Sequence, residues 1–210
     1  MRFFSSIARI VDVTAPRSRA EQKRHTRALI VDAGRRTVAS RGFSGLVVRE
    51  LAREAGIVPT AFYRHFDSVE ELATELAGAA ADALGTLVDT LVSTPTQDPA
   101  SDWPHQVSAR AAENPQTWSV LARGLVDTAG PDHRVLSAAV DTARRRLGIT
   151  LGRLESLSGA DGAVVDVTAD LVVVVLVRHL MDVAAGQDAR TLDGDCAARL
   201  RVVLAGAAAQ

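Results

Sequence analysis

The chain has little sulfur and few aromatic side chains. Among its 210 residues there is one cysteine, Cys196, and 4% are Phe, Trp or Tyr. A lone cysteine excludes an intrachain disulfide, and its ordinary role is that of a small buried apolar residue in a reducing cytoplasm. Because aromatic residues are scarce while Ala, Leu and Val are abundant, we expect an aliphatic core of helices packed on helices.

Motifs that carry catalysis are also missing. The sequence has no metal-ligand spacing, no glycine-rich phosphate loop, no nucleophile elbow and no recognisable convergent polar cluster. It therefore predicts neither an enzyme nor a cofactor or metal site. A membrane span is not predicted either, because charged residues interrupt the most apolar segment, residues 163–185.

Charge is distributed unevenly, although the formal net charge is only −1. Residues 1–66 contain thirteen Lys/Arg and five Asp/Glu, a net charge of +8. Residues 67–210 contain eleven Lys/Arg and twenty Asp/Glu, a net charge of −9. A basic N-terminal segment is what neutralisation of nucleic-acid phosphates requires, and an acidic remainder is repelled from them.

Two short helices joined by a tight turn are predicted between Val48 and Phe66. Gly56 ends the first helix, because glycine adopts positive φ without a Cβ penalty, and Pro59 suits the first position of the second. This pattern is typical of a helix-turn-helix. The apolar stripe of the first helix, at i, i+3, i+4 and i+7, consists of Val48, Leu51, Ala52 and Ala55.

The second helix is predicted to bury Phe62 and Phe66, four residues apart, and to expose a small, aromatic and basic face. Such a face fits the major groove, since small residues approach base edges and the others reach phosphates. The alternative is a helical hairpin whose aromatic residues are core and whose polar residues are merely solvated. The predicted DNA contacts are Arg49, Thr60, Ala61, Tyr63, Arg64 and His65.

A family resemblance is carried by residues 27–42, by the run RELAREAGIVPTAFYRHF from Arg49, and by Glu70-Glu71-Leu72. Together these segments resemble the N-terminal domain of TetR-type transcriptional regulators. The resemblance implies an all-α homodimer that binds DNA through its head and a ligand through its body. Val47 and Val69 depart from the family pattern, which has Thr or Ser and Lys at these positions, and this puts two usual backbone contacts in question.

A narrower resemblance, to the FabR-like branch of that family, rests on the run AGIVPTAFYRHF and on an acidic start of the fourth helix. It implies repression of unsaturated fatty acid synthesis and recognition of acyl-CoA or acyl carrier thioesters.

The N-terminal residues are interpreted as a non-secreted, disordered extension over residues 1–18. Residues 1–11 are apolar, but Arg9 interrupts the run and no small-x-small cleavage site follows promptly. The basic residues 16–24 would lie along the DNA backbone or in the minor groove, and the alternative is a tail without a role.

The other helices are predicted from apolar periodicity and stop signals. The first should cover residues 19–41, with Gly34 at a close helix crossing, and the fourth should run from a Ser68 cap to about residue 93. Three prolines predict a break over residues 94–104. Further helices follow over about 106–113, 116–129, 132–157, 163–185 and 195–208, with a buried strand as the alternative for 172–175.

The last two helices are the predicted dimer contact. Residues 171–177 are apolar all round, and such a helix must be covered on most sides. The family resemblance indicates the same pair. Two heads at a fixed separation can read two half-sites of a palindrome.

Signals for a ligand pocket are weaker. Trp103 and Trp118 are candidates to line an apolar cavity, with ordinary packing as the alternative. Arg144 begins a basic run and is a candidate for the phosphates of a coenzyme A thioester, with a solvated helix face as the alternative. His179 is interpreted as a core histidine.

The sequence thus predicts an all-α protein with a helix-turn-helix DNA-binding domain over residues 19–66 and a helical-bundle ligand-binding and dimerisation domain over residues 67–210. Its expected partners are double-stranded operator DNA, a second copy of the chain and a small, mainly apolar effector, with acyl-CoA as the narrower candidate. The expected function is transcriptional repression at the nucleoid, in the cytoplasm. The alternative is a DNA-associated adaptor that acts through a protein partner.

Overall fold

The computed structural model describes residues 18–128 and 130–209, and within them every regular element is helical. The predicted extension lies outside these residues apart from Ser18. We refer to α1–α3 as the head and to α4–α9 as the body. The helices are α1 (Arg19–Arg41), α2 (Val48–Glu54), α3 (Pro59–Phe62), α4 (Val69–Ser93), α5 (Pro99–Glu113), α6 (Pro115–Val126), α7 (Pro131–Leu151), α8 (Gly162–Ala184) and α9 (Ala189–Ala208).

Both ends of α1 lie where the sequence signals place them. Ser18 Oγ accepts a hydrogen bond from the Glu21 amide at 3.2 Å, and the Glu21 carboxylate accepts one from the Ser18 amide at 2.7 Å. This capping box satisfies two amides of the first turn. At the other end Gly42 has φ +77°, and its amide donates to the Val38 carbonyl at 2.9 Å.

The helix-turn-helix is present, but its second helix is shorter than predicted. Gly56 has φ +69° and Pro59 is the first residue of α3, as expected. The α-helix ends at Phe62 rather than Phe66, because the chain tightens there: the amide of His65 bonds to the carbonyl three residues before it, at 2.9 Å. The segment after α3 is therefore a series of hydrogen-bonded turns.

Helix α4 connects the head to the body. Ser68 Oγ accepts from the Glu71 amide at 3.1 Å and starts the helix. A Cβ added at Gly34 of α1 would lie 3.2 Å from a methyl group of Leu72 and 3.1 Å from one of Leu76, so the predicted close crossing at this glycine is confirmed. By length and composition α4 is long and apolar enough to cross a membrane, but its apolar face packs inside the protein.

The break predicted at residues 94–104 is wrong for its second half. Pro99 is the first residue of α5, where no amide is needed, and Pro104 lies inside the helix with its ring buried. The Asp98 side chain accepts from the Ser101 amide at 3.2 Å, and this cap explains why the helix begins so early.

The rest of the body also differs from prediction in places. The helix α7 ends at Leu151, and one turn of 3₁₀ helix follows at Glu155–Leu157. The helix α9 begins at Ala189 because the Asp188 side chain caps it, accepting from the Thr191 amide at 3.0 Å. The strand alternative for residues 172–175 is wrong, since they lie within α8, where β-branched side chains are tolerated when packing covers them.

The core is aliphatic, as expected. Helices α4, α7 and α8 pack in sequence, and α5 and α9 cover the remaining side of α8. The lone Cys196 is fully buried, and burial raises its pKa to about 11, so the thiol stays protonated and behaves as a small apolar group.

The joint between head and body is formed by α6, which packs on both α1 and α4. At its centre Gly124 allows Leu136 of α7 and Phe43 of the head to approach closely. A Cβ at Gly124 would lie 2.2 Å from Leu136 Cδ1 and 3.2 Å from Phe43 Cε2. Arg123 donates a hydrogen bond to the Ala39 carbonyl across the same joint, at 3.4 Å.

Replacing Gly124 with Ala is expected to lower the free energy of unfolding by about 1–3 kcal/mol, because the methyl group overpacks this joint. Urea titration followed by circular dichroism measures the change. Gly85→Ala is the control: a Cβ there meets no atom within 4 Å, and the gain in helix propensity should stabilise the protein by about 0.5–1 kcal/mol. Equal effects of the two substitutions would contradict a tight joint at α6.

Candidate nucleic-acid interface

The face of α3 and of the turn after it is exposed where the sequence predicts. Thr60, Tyr63 and Arg64 are exposed, with 58% of the Tyr63 surface accessible. Ala61 is half-buried, which places its methyl group close to the surface. The chain therefore presents a short strip of small, aromatic and cationic side chains.

The buried side of this segment is aromatic. Phe62 and Phe66 are almost completely buried, so the prediction that they point inward is confirmed. Their rings stack at 5.6 Å between centroids and 29° between planes, and Tyr63 meets the Phe62 ring edge-on at 5.5 Å and 85°. The exposed Tyr63 is therefore held by an aromatic stack rather than by a long helix.

His65 is less accessible than predicted. It is half-buried, and its Nδ1 is buried with no hydrogen-bond partner among the described residues. Burial lowers the pKa of His65, and the nearby charges of Lys23, Arg27 and Arg64 lower it further. The ring is therefore neutral at neutral pH and can offer a phosphate a hydrogen bond but not a full charge.

The acidic residues of α2 are paired with arginines of α1. Glu50 pairs with Arg41, and Glu54 lies 3.7 Å from Arg36. Arg49 is exposed on the same helix and pairs with none of the described carboxylates. Because the acidic groups are neutralised from within the head, the surface around Arg49 and α3 keeps its positive charge.

Sequence reasoning missed one exposed apolar residue at this surface. Val58 directly precedes α3 and is 63% exposed, and Val47, at the start of α2, is 48% exposed. An apolar side chain at such a place is suited to contact with a thymine methyl group. Val69, the other departure from the family pattern, packs partly against the core.

Comparison with known proteins agrees with this geometry. Residues 30–76 match the bacterial regulatory proteins of the tetR family. Over 59 residues the chain is 52% identical to an uncharacterized HTH-type transcriptional regulator from Haemophilus influenzae, a match that covers 28% of this chain and 29% of that relative. Residues 30–76 are therefore similar to the tetR family of bacterial regulatory proteins.

Over most of its length the chain is also similar in fold to structures of TetR-family regulators. A TetR-family transcriptional regulator from Streptomyces coelicolor superposes with a TM-score of 0.67 at 16% identity, over 88% of this chain and 97% of that one. A TetR-like transcriptional regulator from Rhodococcus sp. RHA1 gives 0.65 at 17% identity, over 90% and 99%. The predicted all-α fold with an N-terminal helix-turn-helix is confirmed, and these relatives are named as regulators rather than enzymes.

The three predicted ligand residues lie on three different helices, α5, α6 and α7. Trp103 is fully buried in α5, and Trp118 of α6 donates its indole N–H to the Arg110 carbonyl at 3.1 Å. Arg144 lies 3.2 Å from Asp170 of α8. Both indoles are packing residues in this structure, and the guanidinium is engaged in an ion pair.

An apolar cavity lies elsewhere in the body, between α4, α5, α7 and α8. It has a volume of only about 20 Å³, room for one water-sized sphere. Every lining side chain is aliphatic. The lining consists of Leu84, Leu87, Val88, Leu91, Val107, Ala143, Leu147, Val173, Leu176, Val177 and Leu180.

A buried polar cluster joins α5, α8 and α9, contrary to the expectation that the body has none. His179 Nε2 lies 2.9 Å from Ser108 Oγ, 3.1 Å from Asp193 Oδ1 and 3.2 Å from the Pro104 carbonyl oxygen. The Ser108 hydroxyl donates to Asp193 Oδ1 at 2.5 Å, and His105 Nδ1 lies 2.6 Å from Asp193 Oδ2. The cluster partners are far apart in sequence, so no local spacing reveals them.

The cluster has the residue types of a Ser-His-Asp triad but not its geometry. A carbonyl and a carboxylate can only accept, so His179 Nε2 carries a proton and cannot take one from Ser108. The Ser108 proton is directed at Asp193 instead. Since all three side chains are buried, the arrangement ties helices together and does not activate a nucleophile.

Removing the carboxylate at the centre of the cluster should destabilise the fold. Asp193→Ala is expected to lower the free energy of unfolding by about 3 kcal/mol, because it leaves the buried Ser108 hydroxyl without its acceptor and removes one of the acceptors of His179. Thermal or urea unfolding measures this loss. Asp195→Ala, an exposed site one residue beyond Gly194 on the same helix, should stay within about 0.5 kcal/mol of wild type. Similar losses at both positions would show that the cluster has no special role.

Proposed function

We propose that this chain is a homodimeric transcriptional repressor that acts on operator DNA in the cytoplasm, and that its body takes a small, mainly apolar effector. The observation that carries the proposal is the exposed strip on α3 in a positively charged head of TetR type. The DNA contacts of the proposal are Arg49, Thr60, Ala61, Tyr63, Arg64 and His65.

These contacts divide by chemistry. Thr60 and Ala61 are small and lie at the start of α3, where close approach to base edges is possible. Arg49 and Arg64 are exposed cations suited to phosphates, and the neutral ring of His65 can donate one further hydrogen bond. Tyr63 is suited to contact both bases and phosphates, since its hydroxyl can reach the DNA backbone while its ring lies against the groove.

The dimer surface of the proposal is the outer side of α8 and α9. A groove between the two helices is lined by aliphatic and small side chains, including Val164, Val203 and Gly206. Exposed apolar residues of this kind on adjacent helices favour burial against a second copy. Val167 (59% exposed), Leu171 (48%) and Val202 (75%) line the groove, and Val174 (65%) lies one turn after Leu171 on α8.

The effector of the proposal is apolar because the cavity in the body is aliphatic on all sides. At about 20 Å³ the cavity is too small for an effector, so a ligand must move the helices that line it. The narrower hypothesis of a fatty acyl thioester is supported by this lining alone. A coenzyme A phosphate would have to displace the carboxylates that now pair with Arg144 and Arg146.

Tyr63→Ala is expected to weaken operator binding about tenfold or more, because the variant loses the contacts of the most exposed aromatic side chain of the strip. Gel-shift titration against an operator selected from random duplexes by the wild-type protein measures the loss. Tyr63→Phe keeps the ring and removes the hydroxyl, so it shows how much of the loss in affinity comes from the hydroxyl alone. Unchanged affinity of the alanine variant, with its fold and oligomeric state intact, would refute this contact.

Val174→Asp is expected to convert the dimer to a monomer, because a charge placed in the proposed interface loses its hydration on assembly. Light scattering after size-exclusion chromatography measures the mass. Ile149→Asp is the matched control, since Ile149 is 60% exposed on α7, away from the groove. A wild-type monomer, or dimers of both variants, would contradict the assignment of this surface.

A further inference from the structure

A single side chain of α1 touches both the recognition segment and α4. The guanidinium of Arg27 donates to both carboxylate oxygens of Glu75 on α4, with Nη1–Oε1 at 2.6 Å and Nη2–Oε2 at 2.5 Å. Its Cζ lies 4.5 Å from the centre of the Phe66 ring. Arg27 therefore joins three elements at one point.

The contacts continue without a gap to the exposed surface. Phe66 stacks on Phe62, and Phe62 meets the ring of Tyr63 edge-on. A run of direct contacts thus leads from a carboxylate of α4 through a guanidinium and two buried rings to Tyr63. We call the series Glu75, Arg27, Phe66, Phe62 and Tyr63 the aromatic relay.

We propose that Arg27 is a positioning residue for DNA recognition, which fixes the aromatic relay and so the place of Tyr63 relative to α4. This inference rests on the proposed function but assigns a role to a residue outside the DNA contacts named above. The two-point bond to Glu75 fixes the plane of the guanidinium, and the plane in turn fixes the face that it offers to Phe66.

The role of Arg27 is orientation rather than holding α1 to α4. Leu72 and Leu76 already pack tightly against Gly34, so the two helices are joined by apolar contacts. The ion pair is partly exposed, with 40% of the Arg27 and 34% of the Glu75 side chain accessible, and such pairs contribute little to the free energy of unfolding. Loss of the pair should therefore leave the fold intact and disturb the relay.

A lysine at position 27 is the informative substitution. It keeps the positive charge and the length of the side chain, but it has neither the planar fork nor the flat surface for stacking. Arg36→Lys is the matched control, because Arg36 is also on α1 but pairs with Asp32 of its own helix and with Glu54 of α2. Neither partner of Arg36 belongs to α4.

Tyr63 is the only tyrosine of the chain, so labelling with 3-fluorotyrosine gives one ¹⁹F resonance that reports its surroundings. In the DNA-free protein, Arg27→Lys should shift or broaden this resonance, and Arg36→Lys should not. An unchanged resonance in the Arg27 variant would overturn the proposal whatever the DNA measurements show.

Operator binding gives the second readout. Arg27→Lys is expected to weaken binding to the selected operator about tenfold and to an unrelated duplex less than about threefold, while the unfolding midpoint stays close to that of wild type. Equal weakening on both duplexes would indicate a direct phosphate contact by Arg27 and would overturn the positioning role.

Glu75→Gln tests the same relay from the α4 end. The double variant Arg27→Lys/Glu75→Gln should bind the operator no more weakly than the weaker single variant, since both remove one interaction. Additive losses would count against the relay, and the glutamine variant replaces the lysine variant if the latter does not fold. Failure of the wild type to select any duplex would refute the proposed function. If the wild type selects an operator and Arg27→Lys binds it with unchanged affinity, this inference alone is refuted.

Discussion

The apolar face of α4 is the surface against which both halves of the protein pack. At its start Leu72 and Leu76 meet the glycine of α1, and further along Leu84, Leu87 and Leu91 form part of the aliphatic lining of the body. The helix is continuous over 25 residues, about 37 Å at the rise of an α-helix. A change of its tilt in the body therefore becomes a displacement of the head.

Charge acts on the same arrangement over a longer range. Residues 18–66 carry ten Lys/Arg against four Asp/Glu, a net +6, and residues 67–209 carry a net −9, so the head attracts phosphates and the body repels them. Within the head, the ion pairs of Glu50 and Glu54 with α1 remove the negative charges that would oppose binding. In the proposed complex this distribution of charge turns the head toward the duplex.

The sequence predicted those elements whose signals are local. The capping box at Ser18, the positive φ at Gly42 and Gly56, and the serine cap at α4 all depend on residues within one turn, and they lie where expected. The break predicted from the prolines at α5 was wrong, because Pro104 is accommodated within the helix. Its ring is buried, and its carbonyl accepts a hydrogen bond from His179. That interaction depends on a residue 75 positions away, which no periodicity can reveal.

The same limit applies to the candidate site. Spacing was enough to predict that Phe62 and Phe66 are buried and that Tyr63 and Arg64 are exposed. The contact of Arg27 with Glu75, across 48 positions, depends on how α1 crosses α4 and was not foreseen. Trp103 and Trp118 were chosen for their chemistry, but tertiary packing decides what an indole does, and here it places both in the core.

The buried cluster and the small apolar cavity together restrict how the proposed effector can act on this fold. Ser108, His179 and Asp193 tie α5, α8 and α9 by hydrogen bonds that are costly to break in a buried site. All four helices face the cavity with aliphatic side chains, but the ion pair between α4 and α7, Arg146 with Asp89, is at the surface. Expansion of the cavity on the side of α4 and α7 therefore breaks no hydrogen bond of the buried cluster. Since α4 also carries Glu75 and the contacts to α1, an effector that moved α4 would displace the head.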